Sequence, residues 1–161
     1  FNYTTTLQQL YAISDEQILH LHNKAESINS DLILGHNWCE EDRTSLYDEY
    51  SHEDQDTRVA EGYHIIDNLF ADSYKPSDQI IKANHSFFNG LHRIRKVSIL
   101  GHSLAEVDMA YLEKLVGSLN LHQVEWVISY YSDEERQKHY KTLIALGISP
   151  NQFSQVTLKE L

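Results

Sequence analysis

The sequence predicts an α/β fold of three layers, with helices on both faces of a mostly parallel β-sheet. Helical and extended patterns alternate along the 161 residues. The predicted strands carry apolar residues toward both faces, as strands of a sheet covered on both sides do. With 41% hydrophobic residues, the chain has enough apolar side chains for the core of one domain. We therefore expect a single α/β domain over residues 1–161.

Five helices are predicted from apolar spacing and from end signals. Ser132 and Glu135 have the spacing of a capping box, in which a hydroxyl and a carboxylate accept hydrogen bonds from otherwise unpaired amides. Gly147, with Pro150 soon after, is typical of a helix end. The predicted helices cover residues 6–11, 59–70, 80–91, 107–115 and a segment between Ser132 and Gly147.

Extended segments are predicted at residues 18–22, 31–35, 97–100, 124–130 and 151–158. Two of them end in the same four residues, Ile-Leu-Gly-His, with the Gly-His pairs at 35–36 and 101–102. Open α/β sheets bind ligands at the carboxyl ends of their strands. We therefore expect Gly35, His36, Gly101 and His102 to meet at one ligand cleft.

Charge and composition exclude several classes of protein. Thirteen basic residues against 24 acidic ones give a net charge of −11, which disfavours sequence-independent binding of nucleic acid. The one basic cluster, at residues 92–96, is interpreted as a solvated helix end. We expect no transmembrane span and no signal peptide, because no apolar run approaches the required length. The lone Cys39 forms no internal disulfide, so a cytoplasmic location is expected.

Two features concern the boundaries of the domain. Eight of the 24 acidic residues lie within residues 40–56, a composition that predicts a mobile acidic loop at about 39–56.

The chain opens with Phe1-Asn2-Tyr3-Thr4 and not with Met. We expect it to be the carboxyl-terminal part of a longer protein.

Ser103 has two interpretations from its neighbours alone. Gly101-His102-Ser103-Leu104-Ala105 is similar to the G-x-S-x-G turn that carries the nucleophile of serine hydrolases, with Ala in the fifth position. No His follows the last predicted strand, so a catalytic triad in the usual order cannot be assembled. Alternatively, Ser103 and Glu106 form a capping box, and Asp108 favours the positive end of the helix dipole. A capped helix start also attracts phosphate.

Several segments together resemble the bacteriophage abortive infection family AbiH. They are Phe1-Asn2-Tyr3-Thr4, Leu19-His20-Leu21-His22-Asn23, Ile33-Leu34-Gly35-His36, the block from Ile99 to Asp108, and residues 126–131. The resemblance spans nearly the whole chain and implies a role in defence against bacteriophage. It also implies a phage or host protein as the trigger.

A more distant resemblance connects the chain to the SIR2-like NAD-binding superfamily, which implies a Rossmann-like fold and NAD as the ligand. It implies that Asn2 and His22 form a catalytic pair, since imidazole suits general base chemistry. It places Gly101 and Ser103 against ribose or phosphate. Asn23 stands where the superfamily usually has Gly, and the glycine-rich loop expected upstream lies outside this chain.

The sequence thus leads to one principal hypothesis and several alternatives. The principal one is an anti-phage protein that binds a nucleotide and cleaves the glycosidic bond of NAD, with Asn2 and His22 as catalytic residues. Its predicted nucleotide-binding residues are Gly35, His36, Gly101, His102, Ser103 and Asp108. The alternatives are a non-catalytic sensor or interaction module and the serine hydrolase. His20 and His22 could also share a face of a strand and hold a metal, and His36 and His102 could simply bond loop backbone.

Overall fold

The computed structural model describes residues 3–37, 43–50 and 56–160. These residues form two compact units, Phe1–Pro76 and Ser77–Leu161. The second unit contains a three-stranded parallel sheet with helices, so the predicted α/β class with a parallel sheet is confirmed. No helix among the described residues is long and apolar enough to cross a bilayer.

The first unit is built from helices and turns. Its helices are α1 (Thr6–Tyr11), α2 (Leu46–Tyr50) and α3 (Thr57–Asp72). α1 and α3 confirm two predicted helices. α2 lies within the range predicted as a mobile acidic loop, so that part of the range is helical instead; residues 38–42 and 51–55 of the range lie outside the described residues.

Asp67 of α3 attaches α2 to α3. Its carboxylate pairs with Arg43 at 2.9 Å and accepts hydrogen bonds from the Ser45 hydroxyl at 2.8 Å and from the amides of Leu46 and Tyr47. Burial raises the pKa of Asp67, but these hydrogen bonds and the Arg43 charge outweigh burial and lower it to about 2. The carboxylate therefore satisfies the otherwise unpaired amides at the start of α2.

The prediction of strands at residues 18–22 and 31–35 is wrong, because neither segment is a strand in the structure. A turn at Leu21 and His22 interrupts the first segment, and Asn23 has the left-handed φ of 64°. One backbone hydrogen bond, from the Ile33 amide to the His22 carbonyl, joins the two segments. Because the Asn23 side chain donates to the Asp31 carbonyl, this region closes as a loop and not as a ladder.

The second unit begins with α4 (Ser77–Ala83) and α5 (His85–Asn89), followed by a 3₁₀ turn at Gly90–Arg93. The sequence predicted one helix over 80–91. It is interrupted at Asn84, whose side-chain amide donates to the Ile80 carbonyl and competes with helical hydrogen bonding.

The sheet consists of β1 (Lys96–Ile99), β2 (Glu125–Tyr130) and β3 (Phe153–Thr157) in the order β1-β2-β3. All pairs are parallel, with Val97 opposite Trp126 and Trp126 opposite Phe153. The predicted strands at these positions are confirmed. α6 (Met109–Ser118) connects β1 to β2, and α7 (Asp133–Ala145) connects β2 to β3.

The core of the second unit surrounds β2, on which four consecutive residues from Trp126 to Ser129 are buried. Along β1 only alternate residues, Val97 and Ile99, are half-buried, while Lys96 and Ser98 are exposed. The expectation that this strand is covered on both faces is not met among the described residues, because the face that carries Lys96 and Ser98 is exposed. The buried core cluster comprises Leu104, Leu112, Val124, Trp126, Ile128, Leu143 and Ile148.

Candidate functional site

The turn after β1 is fixed by two left-handed residues and one hydrogen bond. Gly101 has φ 63° and Leu104 has φ 48°. The Gly101 amide donates to the buried Ser129 hydroxyl on β2 at 2.8 Å. Leu104 is 2% exposed and belongs to the core cluster, so its burial compensates for a conformation that non-glycine residues seldom adopt.

Both ring nitrogens of His102 are engaged inside this turn. Nδ1 accepts a hydrogen bond from the Leu104 amide at 3.0 Å, and Nε2 lies 3.3 Å from the Asp108 carboxylate. An acceptor at Nδ1 places the proton of the neutral ring on Nε2, where it faces the carboxylate. The expectation that His102 bonds loop backbone is confirmed, and the ring orders the turn together with Asp108.

Ser103 does not cap a helix. The following 3₁₀ helix, Glu106–Asp108, begins after Ala105, and α6 begins after Asp108; neither start has a side-chain cap. The predicted Ser103–Glu106 capping box is therefore wrong. Ser103 is exposed, and the left-handed residues of the turn are Gly101 and Leu104. The strain that exposes the nucleophile of a hydrolase elbow is thus not located at Ser103.

The carboxyl ends of all three strands line one cleft of about 680 Å³. This volume is within the range of small-molecule sites. Gly101 and His102 line it, whereas Ser103 is not among the described lining residues. The cleft also includes residues that the sequence did not single out: Ser129, Tyr130, Tyr131, Glu135, Thr157, Leu158 and Lys159.

Glu135, on the first turn of α7, is the acidic residue among the described lining residues. Its carboxylate accepts a hydrogen bond from the Tyr131 amide at 2.7 Å, and its own amide donates to the Ser132 hydroxyl at 3.2 Å. The predicted cap at Ser132 is confirmed, but the reciprocal half of the predicted capping box is not present. The carboxylate, however, accepts from the residue before the cap and not from the cap itself.

His139 lies one turn further along α7 and is fully buried. Its Nε2 is 3.8 Å from the Glu135 carboxylate. Burial lowers the pKa of His139, although the Glu135 charge and the Ser103 backbone raise it, and the charges of Lys138 and His102 lower it further. The neutral ring is therefore the form that the fold accommodates.

In the first unit, Gly35 and His36 attach a loop to α3. A Cβ at Gly35, which has φ 131°, would overlap the Ser73 carbonyl. His36 stacks on Phe70 with ring centroids 3.8 Å apart, and its Nε2 lies 3.0 Å from the Phe70 carbonyl. The predicted backbone bonding of His36 is confirmed. Gly35 does not follow a strand, so the expectation of a strand end at this position is wrong.

The predicted catalytic pair is only partly described. Asn2 lies outside the described residues. His22 is 4% exposed, and its ring lies 6.2 Å from that of Tyr3. Because residues 18–22 do not form a strand, His20 and His22 do not project from one strand face as the metal hypothesis required. Within the described ranges, no group of three His, Cys, Asp or Glu side chains is arranged to hold a metal ion.

Fold and site together define an α/β protein with a polar and aromatic cleft at the carboxyl edge of a parallel sheet. The model of the family described as "Bacteriophage abortive infection AbiH" matches residues 1–130. The chain belongs to this family, and a role in abortive infection is what the family indicates. No curated protein and no solved structure matched the chain.

The sequence located one side of the cleft and missed the other. The Gly-His-Ser block identified the turn after β1. The strands that end at Tyr130 and Thr157 were also predicted, so the residues that follow them could have been proposed by the same rule. Glu135 was interpreted only as a capping residue, and His139 only as part of a helix.

Proposed function

We propose that the cleft binds a nucleotide of the NAD type, and that the second unit is the core of a three-layer, Rossmann-like and SIR2-like fold. The observation that carries this proposal is the position of Gly101. It occupies a left-handed turn directly after β1, at a cleft shared with the ends of β2 and β3. Parallel α/β sheets bind nucleotides at such a turn.

The local chemistry of the cleft is compatible with this ligand. A Cβ at Gly101 would meet no atom within 4 Å, so the backbone faces open space in which a phosphate or ribose can approach. Tyr130, Tyr131 and Leu158 offer apolar and aromatic surface to a base, and Lys159 offers a positive charge. Ser103, which follows His102, extends the turn that would face the ribose.

The catalytic part of the proposal is hydrolysis of NAD when infection triggers the protein. Water attacks the ribose carbon that bears nicotinamide, the glycosidic bond breaks, and nicotinamide, ADP-ribose and a proton result. In this proposal Asn2 orients the water or the ribose, and His22 accepts the proton. The roles of both residues come from the superfamily resemblance.

Binding and turnover are tested separately on full-length protein. Calorimetric titration with NAD measures binding, and chromatography of nicotinamide measures turnover. We expect Gly101→Ala to weaken NAD binding, because the left-handed φ of Gly101 disfavours a side chain and the added methyl enters the ligand space. Gly117→Ala, in the exposed part of α6, is the matched control. Undiminished binding by Gly101→Ala would contradict the cleft assignment, and turnover unchanged by Asn2→Ala and His22→Ala would contradict their roles.

One observation favours a second function, a sensor that binds the nucleotide without cleaving it. Both ring nitrogens of His102 are engaged within the turn, and His139 is fully buried. Neither imidazole is therefore placed to exchange a proton with a ligand in the cleft. Binding of NAD without release of nicotinamide would identify the sensor.

A further inference from the structure

One side of α3 carries an exposed apolar stripe. Its four members are three, four and seven residues apart, which places them within roughly 120° of the helix circumference. All four are exposed, with exposed fractions of 45% for Val59, 63% for Ile65, 48% for Ile66 and 67% for Leu69. A contiguous apolar surface of this kind is typical of a site that binds another protein surface.

α2 packs on a different side of α3 and does not cover the apolar stripe. His64 stacks on Tyr47 of α2 with ring centroids 3.9 Å apart, and Asp67 accepts hydrogen bonds from the amides at the start of α2. At 3.6 residues per turn, His64 and Asp67 point roughly 150° away from the middle of the stripe. The contact with α2 therefore leaves the stripe available to a further partner.

Two opposite charges flank the apolar stripe, one near each end of α3. Arg58 and Asp72 are both exposed and lie on the edge of the stripe that also carries Ile65. Each is seven residues from Ile65. When two copies of α3 pack antiparallel across a two-fold axis at Ile65, Arg58 of one copy therefore lies opposite Asp72 of the other, and the axis repeats this pair. A parallel arrangement would bring like charges to the same end.

Arg58 can bind this second carboxylate and still keep the partner that it has. Its Nε and Nη2 donate to the carboxylate of Asp56, the residue that caps α3, at 3.2 and 2.9 Å. A guanidinium has five N–H donors in a fixed fork, so those on Nη1 are left for Asp72 of a second copy. Such exposed pairs fix the orientation of an interface more than they strengthen it.

We propose that the apolar stripe of α3 binds the same stripe of a second copy of this chain, antiparallel and across a two-fold axis. Ile65 and Ile66 form the centre of the contact, and Arg58 with Asp72 sets its direction. The 16 residues of α3 span about 24 Å, so one helix pair buries less than the roughly 800 Å² per partner of a standard interface. We therefore expect a weak dimer, with a Kd of about 10–100 µM, that dissociates at low micromolar concentration.

The test is sedimentation velocity of the full-length protein from about 1 to about 500 µM, on both sides of that Kd. At about 0.15 M ionic strength, salt screens the repulsion between two chains that each carry a charge of −11. We expect the mass to rise from that of one copy to that of two.

Two matched variants locate the contact. Ile65→Glu places an unpaired charge at its centre and should weaken dimerisation at least about tenfold. Because Ile65 is exposed in the single chain, this variant should fold as the wild type does, which circular dichroism checks. Ile28→Glu makes the same change at a fully exposed position outside α3 and should dimerise like wild type.

A charge exchange tests the antiparallel order. Arg58→Glu and Asp72→Arg should each weaken dimerisation severalfold, because like charges then face each other, and the double variant should restore it. Protein that stays monomeric at every concentration, as when another segment or a foreign protein covers the stripe, would overturn the proposal. So would a dimer that persists in Ile65→Glu, or a double variant that restores nothing. These outcomes are independent of NAD binding.

Discussion

The amide of Gly101 donates a 2.8 Å hydrogen bond to the hydroxyl of Ser129, so the turn after β1 is fixed directly to the neighbouring strand. Ser129 is 3% exposed and lines the cleft together with Gly101. One buried hydroxyl thus connects the stability of the sheet to the shape of the candidate site.

Replacing this hydroxyl should affect both properties. We expect Ser129→Ala to lower the free energy of unfolding by about 1 kcal/mol, the net value of one hydrogen bond, and to weaken NAD binding because the turn loosens. Urea unfolding and calorimetry measure the two effects. Ser98→Ala, at an exposed position of β1, is the control and should change neither. Equal behaviour of the two variants would show that the hydrogen bond does not organise the turn.

Asp67 should make the free energy of unfolding of the first unit depend on pH in the acid range. Its pKa is lowered from 3.8 to about 2, so its contribution is present above pH 4 and is lost as pH falls toward 2. We expect Asp67→Asn to be less stable than wild type at pH 7 and to lose less stability than wild type between pH 7 and pH 2.5, because Asp15 and Asp56 also have lowered pKa values and still respond to acid. Urea unfolding followed by circular dichroism measures this. Asp72→Asn, exposed on the same helix, should follow wild type at both pH values.

His139 should make the second unit sensitive to milder acid. Its folded pKa is lowered from 6.5, so the unfolded chain binds a proton more readily. The contribution of neutral His139 is fully present above pH 6.5 and is lost as pH falls through the folded pKa. The charged and titratable groups that act on it are Glu135 and Lys138 on α7 and His102 on the turn.

We expect His139→Gln to remove part of this acid sensitivity below pH 6.5. Urea unfolding followed by the fluorescence of Trp126, in a Trp38→Phe background, measures it. His122→Gln changes an exposed His and should retain the wild-type dependence. An unchanged profile in His139→Gln would mean that the buried ring does not titrate differently in the two states.

Gly35 should tolerate no side chain. A Cβ there would overlap the Ser73 carbonyl, and φ is 131°. We expect Gly35→Ala to cost about 3 kcal/mol or more of unfolding free energy. Gly62→Ala is the control, because a Cβ at Gly62 within α3 meets no atom within 4 Å; it should stabilise by about 0.5–1 kcal/mol. Circular dichroism during urea unfolding distinguishes the two, and similar stability of both variants would contradict the steric argument.

The predictions from sequence were confirmed where the local pattern of an element matches the way that element packs in the fold. β2 was found because consecutive apolar residues are buried at the centre of a sheet, and α7 because Ser132 and Gly147 mark its ends. Residues 18–22 and 31–35 have the composition of strands but not a ladder of partners, and composition alone does not reveal that difference.

The site was predictable only in part for a related reason. Gly101 and His102 were found from a motif that includes a strand end. Glu135 was missed because its spacing from Ser132 already explained it as a capping residue. A capping residue that also lines a cleft cannot be distinguished by sequence from one that does not. The burial of His139 depends on how α7 packs on β2, a non-local contact that no spacing encodes.

The most direct test of the nucleotide site is hydrogen–deuterium exchange of the full-length protein with and without saturating NAD. The account predicts that NAD slows exchange at the carboxyl ends of all three strands, around Gly101, Tyr131 and Leu158, and leaves the amino-terminal ends of the strands unchanged. Exchange that is the same with and without NAD at these three positions would contradict it.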